Sequence, residues 1–270
     1  MYPATGWIEG TDGTNNACVV FEIGMSTTTL TPLPDAFDTT REALHQYAFF
    51  AIAPRRYAET GRLGLRATPG GFGAPPWPSP DGDVQVRMEG DLLVVQTGEE
   101  RRATRPTTVQ EACDFLGIPY QVEWFADFHD PLKPIDPGTP LEIDDNAATV
   151  LGDWFDFGNS VLEELRATPG AVDASEVQLW PEHFDLATEL GSADAGQRAS
   201  YGASPGDDAH PEPYLYVAAW GDVDRDAEPY WNDTTFNGAS LAYKELLASG
   251  NPQTAALAFL RRGHEVLTGS

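Results

Sequence analysis

Apolar residues recur along the chain with two different periods, which identify two kinds of secondary structure. Between residues 147 and 165 they follow each other at alternating spacings of four and three, the pattern of a helix with one buried face. Strand-forming residues cluster at 84–88, 92–96, 184–190, 198–203 and 214–220. The patterns predict an α+β protein with antiparallel sheets and packed helices, and an arrangement in two lobes stays open.

Local capping signals predict where several helices begin and end. Thr39 and Glu42 have the spacing of a capping box at the start of the first helix, which Pro54 should break or kink. Thr108 and Glu111 have the same spacing at the start of a short helix. Asn251, followed by proline, predicts the start of the last helix.

Prolines at positions 131, 134, 137 and 140 mark the strongest candidate boundary in the chain. They divide the sequence into an N-terminal α+β region, 1–130, a proline-rich linker, 131–145, and a C-terminal α+β region, 146–270. The stretch 68–73 is rich in glycine, but no Lys-Ser/Thr pair follows it. A phosphate-binding P-loop and a dinucleotide site are therefore excluded there.

The charge balance narrows the choice of partners. The chain has 16 basic and 42 acidic residues, for a formal net charge of -26. This charge repels nucleic acid backbones and anionic membrane surfaces, so neither is expected as a partner. The carboxylates favour a small molecule or a divalent metal as ligand. Adaptation to salt and genomic base composition are both open explanations for the acidity.

Cysteine usage and apolar stretches bear on localisation. Cys18 and Cys113 form neither a disulfide framework nor a CxxC metal pair. The N-terminus lacks the basic and apolar stretches of a signal peptide, and the longest apolar run, 47–53, is too short to cross a bilayer. A cytoplasmic protein is expected.

The C-terminal region contains one constellation of residues able to carry chemistry. In a strand over 184–190, His183 and Asp185 belong to one face. If the three strands of this region form an antiparallel meander, the loop 204–213 returns to the same end of the sheet. That loop carries four polar candidates: Asp207, Asp208, His210 and Glu212.

Two chemistries fit this constellation. His183, Asp185 and His210 could hold a divalent metal, or a histidine and a carboxylate could act as general base and orienting partner. Tyr214, Tyr216 and Trp220 alternate on the third strand and could form the wall of a pocket. A non-catalytic alternative also stands, in which the aromatic residues belong to the core and the carboxylates cluster because they are abundant.

Four ordered blocks in this region resemble an uncharacterised bacterial domain-of-unknown-function family. They are Trp-Pro-Glu-His-Phe-Asp at 180–185, a Ser-Pro-Gly-Asp loop at 204–207, Pro-Glu-Pro-Tyr at 211–214 and Phe-Asn-Gly-Ala at 236–239. The resemblance covers residues 180–243. Members often carry His where this chain has Glu182, which argues against a metal site made of adjacent histidines. That family has no established activity, so the resemblance implies kinship and no particular chemistry.

These observations predict a protein with a small-molecule or metal-assisted site in its C-terminal half. His183 would be the base or ligand, with Asp185 as its partner and His210 and Glu212 as secondary groups. Ser204 lacks the Gly-x-Ser-x-Gly context of a serine hydrolase. The alternative is an interaction or solute-binding scaffold in which the motifs are structural.

Overall fold

The computed structural model describes residues 29–122 and 132–269, in which two five-stranded antiparallel sheets pack with helices in an α+β fold. In both sheets the spatial order of the strands follows their order in the chain. The first sheet consists of β1 (Arg66–Thr68), β2 (Gly71–Gly73), β3 (Val84–Glu89), β4 (Leu92–Thr97) and β5 (Glu100–Thr104). The second consists of β6 (Gln178–Trp180), β7 (Asp185–Leu190), β8 (Ala199–Ser204), β9 (Tyr214–Ala219) and β10 (Gly238–Ala242).

The two sheets meet edge to edge beside β1 and β6. Leu65 and Leu179 exchange two backbone hydrogen bonds, of 2.7 and 2.9 Å, in an antiparallel bridge. Both leucines are fully buried. One buried apolar cluster includes residues from both sheets.

The helices are distributed along the whole described chain. They are α1 (Phe37–Tyr47), a π-helical turn (Ala48–Ile52), α2 (Ala53–Thr60), α3 (Val109–Leu116), α4 (Asp145–Arg166), α5 (Tyr243–Ala248) and α6 (Pro252–Thr268). Within the described ranges, no helix combines the length and apolar character needed to cross a membrane.

Helix α4 packs across both sheets and buries the predicted apolar stripe from Ala147 to Leu165. Two glycines allow its close approach. A Cβ atom on Gly158 would lie 2.6 Å from the Cβ atom of Ala203 in β8, and one on Gly152 would lie 2.9 Å from the carbonyl carbon of Gly70. One face of the second sheet is thereby covered by α4, which leaves the opposite face available for a site.

The start of α1 differs from the prediction. The helix begins at Phe37 after an Ala36 cap that makes no side-chain bond, so the predicted Thr39–Glu42 capping box is wrong. The hydroxyl of Thr40, one position further on, instead accepts a 3.0 Å bond from the backbone N–H of Asp144. Pro54 does not end the helical path. It occupies the first turn of α2, directly after the π turn, where a missing N–H group is tolerated.

Two other predicted helix starts are confirmed. Thr108 caps α3 by accepting a bond from Glu111, and Asn251 caps α6 by accepting one from Thr254. Asp144 caps α4 in the same way. The hairpin of β3 and β4 turns at Gly90 and Asp91.

The segment 132–144 of the predicted linker lies along the first helical residues of α3. Leu141 N–H donates to Thr107 at 2.8 Å, and Gln110 N–H donates to Pro137 at 2.8 Å. Residues 1–28, with Cys18, and residues 123–131, with the first linker position, lie outside the described residues. The division into two regions stays a prediction.

Candidate active site

The face of the second sheet that points away from α4 forms the floor of a cavity of about 1000 Å³. Side chains alternate along the strands, so that Leu186 packs toward α4 while Asp185 and Ala187 line the cavity. From the neighbouring strands, the floor receives Ser200 and Ser204 of β8 and Tyr214, Tyr216 and Ala218 of β9. The predicted antiparallel meander of β7, β8 and β9 is confirmed.

A tight hairpin turn presents Asp185 to this cavity. Trp180 of β6 and Asp185 of β7 are cross-strand partners, and residues 181–184 form the turn between them. Phe184 has a φ of 56°, a left-handed conformation that is rare for a bulky residue. Its ring packs 4.9 Å from His45 and 4.9 Å from Phe72, between ring centroids. These contacts hold a strained backbone directly before Asp185.

The turn corrects the predicted position of His183. The strand begins at Asp185, so His183 does not share a strand face with it. His183 lies in the turn, where its side chain is exposed and lines the cavity. His183 therefore contributes to the cavity from its rim, and not from the strand face on which the sequence placed it.

The main polar contact on the floor joins Asp185 to Tyr216. The Tyr216 hydroxyl donates a hydrogen bond to Asp185 Oδ2, although the two residues belong to β7 and β9 with β8 between them. The phenol passes over Gly202, the residue that pairs with Tyr216 on β8. A Cβ atom on Gly202 would lie 2.5 Å from the Tyr216 hydroxyl oxygen. The absence of a side chain at position 202 thus makes the contact sterically feasible.

The environment of Asp185 raises the pKa of its carboxyl. Its side chain is 7% exposed, and Oδ1 has no hydrogen-bond partner among the described residues. Burial raises the pKa of the Asp185 carboxyl, while the Tyr216 hydrogen bond and the nearby His183 imidazole oppose this shift. Burial and the charge of Asp185 also raise the pKa of Tyr216 well above its usual value. The phenol therefore stays protonated and donates to the carboxyl.

The loop 205–213 uses Asp207 for its own structure. Asp207 Oδ1 accepts bonds from the backbone N–H groups of Ala209 and His210, at 2.7 and 2.8 Å, and Oδ2 accepts one from the Tyr214 hydroxyl at 2.6 Å. Burial alone would raise the pKa of Asp207, but these hydrogen bonds and His210 lower it overall. The carboxylate closes the loop, although the sequence predicted it as a ligand-binding group.

Arg41 fastens the same loop to α1. It is 8% exposed and donates a 2.9 Å hydrogen bond from Nη1 to the carbonyl oxygen of Pro211. The loop comes close to the guanidinium at Gly206, where a Cβ atom would lie 2.6 Å from Nη1. Arg41 also pairs with Glu42 at 2.9 Å. Its donors are thus used in holding the cavity wall.

His210 forms a dyad with Asp233, a residue that the sequence analysis did not identify. His210 Nε2 lies 2.8 Å from Asp233 Oδ2, and because a carboxylate only accepts, Nε2 carries the proton. Asp233 Oδ1 accepts two bonds from Thr235. Burial by itself raises the pKa of Asp233, but bonds from Thr235 and Ser240 and the nearby His210 bring it below its usual value. Asp233 thus stays ionised and fixes the imidazole.

His45 of α1 is a neutral structural group beside the cavity. Its Nε2 donates to the carbonyl oxygen of Pro181 at 2.9 Å, and its ring stacks on Phe184. Burial lowers the pKa of His45 to about 4, against weaker opposing contributions from the backbone of Pro181 and Glu182. At neutral pH it therefore supports the turn before Asp185 without carrying charge.

The cavity brings together most of the predicted site residues. Seven of them line it: His183, Asp185, Asp207, Asp208, His210, Tyr214 and Tyr216. Glu212 is exposed and does not line the cavity, because the loop turns its side chain outward. Trp220 follows the end of β9, is 58% exposed and stacks against Arg198 outside the cavity. Both are corrections to the predicted site.

The metal hypothesis lacks a ligand set. Within residues 29–122 and 132–269, no three or more His, Cys, Asp or Glu side chains are grouped so that they could hold a metal ion. His183, Asp185 and His210 therefore line one cavity without forming a metal centre. Asp233 bonds to Nε2 of His210 and Tyr216 bonds to Oδ2 of Asp185, so one polar atom of each residue is already in use.

Several contributors to the site lie outside the constellation predicted from the sequence. Arg41 and His45 belong to α1, far earlier in the chain than the turn before Asp185. The bond from His45 to Pro181 spans 136 residues. Asp233, Thr235 and Phe236 belong to the segment before β10. The Asp-x-Thr spacing of Asp233 and Thr235 was a usable sign of a local side-chain to backbone turn.

No family model matches this chain, and no curated protein sequence or solved structure matches it either.

Proposed function

We propose that the protein binds a small organic molecule in the cavity on the second sheet and that Asp185 acts on it as a general acid or base. The observation that carries the proposal is the state of Asp185. It is a buried carboxyl, lines a cavity of about 1000 Å³, and has one oxygen without a hydrogen-bond partner among the described residues. Buried carboxyls with raised pKa values in concave sites are typical of acid–base catalysis.

The roles within the site follow from the contacts. Tyr216 holds Oδ2 of Asp185, which leaves Oδ1 for the bound molecule. His183 lies at the rim, where its imidazole contributes to the electrostatics of Asp185. His210 is fixed by Asp233 and packs 4.4 Å from the Tyr214 ring, between centroids. We therefore assign acid–base chemistry to Asp185, and positioning to His210.

A non-catalytic solute-binding protein is the second candidate. It is favoured by the way in which Asp207, His210 and Asp233 are used inside the loop structure. In this case Asp185 would bind the solute without transferring a proton. Kinship with the bacterial family named above is compatible with both candidates, and so is a cytoplasmic location.

Ligand-observed NMR with a mixed panel of amine, alcohol and carboxylic acid fragments tests the binding site. The matched proteins are the wild type, Asp185→Asn, and Asp194→Asn, which removes the same charge at an exposed position outside the cavity. We expect fragments that bind the wild type and Asp194→Asn but bind Asp185→Asn weakly. A panel in which no fragment distinguishes Asp185→Asn from the wild type would overturn the proposal.

Calorimetry of the tightest fragment then separates the two candidates. Titrations in phosphate and in Tris report the protons exchanged on binding, since the buffers differ in ionisation enthalpy. A proton exchange present in the wild type and lost in Asp185→Asn supports the acid–base role. Equal heats in both buffers for the wild type would favour solute binding without proton transfer.

A further inference from the structure

We infer that the cavity selects organic cations, in which a protonated amine is carried on an apolar frame. The inference rests on the proposed function, since it names the ligand class of the same site. It depends on three observations: the charges on the cavity wall, the carboxylate oxygens that lack partners, and the aromatic rings beside them.

The wall of the cavity is strongly acidic. Among the described residues that line it, six are carboxylates and one, Arg41, is an arginine or lysine. The six are Glu42, Glu182, Asp185, Glu189, Asp207 and Asp208. An anionic ligand would meet like charges in a partly desolvated site, which disfavours its binding.

Internal pairing removes only part of this negative charge. Glu42 pairs with Arg41 at 2.9 Å, and Glu189 pairs with Arg198 at 2.7 Å. Asp207 lies 3.7 Å from the imidazole of His210. Within the described ranges, Glu182 and Asp185 have no arginine or lysine partner. The cavity wall therefore retains a net negative charge after pairing with the neighbouring arginines and His210.

Two buried oxygen atoms lack hydrogen-bond donors. They are Oδ1 of Asp185 and Oε2 of Glu182, and neither has a partner among the described residues. Both residues line the cavity, and Asp185 is 7% exposed. A buried carboxylate oxygen without a donor is costly, and an ammonium group carries donors and no acceptor, which complements it.

Aromatic rings supply the surface for an apolar frame. Tyr216 lies between Tyr214 and Phe236, with centroid distances of 6.0 and 6.1 Å, and all three rings line the cavity. Trp180, the cross-strand partner of Asp185, also lines it and is 36% exposed. Aromatic faces attract cations as well as apolar groups, so both parts of an organic cation find a complementary surface.

The overall acidity of the chain could attract any cation without a specific site. Such attraction is long-ranged, is screened by salt and is similar for any carboxylate that is removed. Recognition in the cavity depends instead on Asp185. A matched pair of charge-removing variants, one inside and one outside the cavity, therefore separates the two effects.

Affinity measurements with three compounds on one frame test the inference: benzylamine as the cation, benzyl alcohol as the neutral compound and benzoate as the anion. The same three head groups on methyl and naphthylmethyl frames control for the fit of the frame. We expect the amines to bind at least about tenfold more tightly than the alcohols, the gain typical of one charge-assisted hydrogen bond. We expect Asp185→Asn to lose this preference and Asp194→Asn to retain it. The preference should also persist in 0.5 M salt, where the electrostatic screening length is roughly half of its value at 0.1 M.

The possible outcomes distinguish the inference from the proposal on which it rests. Alcohols or carboxylates that bind as tightly as the amines, with a dependence on Asp185, overturn the cation inference and leave the proposed site intact. No binding by any of the compounds overturns both. An amine preference that Asp194→Asn reduces as much as Asp185→Asn reflects overall charge and overturns the inference. Circular dichroism of both variants confirms that each is folded.

Discussion

Tyr216 donates a hydrogen bond to Asp185 across an intervening strand. In most sheets a side chain contacts its direct neighbours, because a side chain on the middle strand fills the space between the outer two. Here that middle position is Gly202. The site therefore depends on a glycine that touches no ligand itself.

Replacing Gly202 with alanine should displace the Tyr216 ring and break its bond to Asp185. The backbone of Gly202 does not have a positive φ, so the new methyl group acts through its clash with the ring. We expect a loss of about 1–3 kcal/mol in the free energy of unfolding, as for other overpacked sites. Urea denaturation measures this loss.

A double-mutant cycle assigns the effect of Gly202→Ala to the ring. In a Tyr216→Ala background the methyl group has space, so the same substitution should cost less than about 0.5 kcal/mol. If Gly202→Ala is equally destabilising in both backgrounds, the ring is not the cause.

Tyr216→Phe should raise the pKa of Asp185 further. The hydroxyl bond stabilises the charged carboxylate and so lowers the pKa, which means that its removal shifts the titration of Asp185 to higher pH. Carbon-13 NMR of the Asp185 carboxyl measures the shift. Tyr214→Phe is the matched control, because its hydroxyl bonds to Asp207. A lower pKa for Asp185 in Tyr216→Phe would contradict the assigned bond.

Asp233→Ala should destabilise the protein strongly. The substitution leaves His210 and both donors of Thr235 without their acceptor in a site where Asp233 is 4% exposed. We expect the free energy of unfolding to fall by about 2–4 kcal/mol. Asp194→Ala, on the exposed surface, should change it by less than about 0.5 kcal/mol. Similar values for both variants would show that the dyad contributes little.

His45→Gln should reduce the loss of stability on acidification between pH 6.5 and about 4. In this window the unfolded wild type binds a proton that the folded state excludes, so stability falls as the pH is lowered. Glutamine keeps a donor for the carbonyl of Pro181 and does not titrate. The stability difference between wild type and variant should change by about 1–3 kcal/mol across the window, measured by denaturation at several pH values. A constant difference would show that His45 titrates normally.

The topology of the site could be predicted from the sequence because its information is local. Alternation along β7, β8 and β9 defined three neighbouring strands, and short connections made an antiparallel meander the simplest arrangement. The end of the sheet at which His183 and the loop 205–213 meet follows from that arrangement alone. Asp185, His210 and Tyr216 were therefore placed in the same cavity correctly.

The pairing of polar groups inside the cavity could not be predicted in the same way. Asp233 reaches His210 from a segment without regular structure, and Arg41 reaches Pro211 across 170 residues. Such contacts depend on tertiary packing, which no local pattern records. Thr39 illustrates a similar limit, because a capping-box spacing fits any Thr-x-x-Glu and the helix began two residues earlier, at Phe37.

The titration of Asp185 in the wild-type protein tests the account most directly. Carbon-13 NMR of its carboxyl carbon, assigned by comparison with Asp185→Asn, gives the pKa of this one group. We predict a midpoint above the ordinary value of 3.8, since burial dominates its environment. A midpoint at or below 3.8 would mean that Asp185 is solvated or fully paired, and would contradict its role as the acid–base group of the cavity.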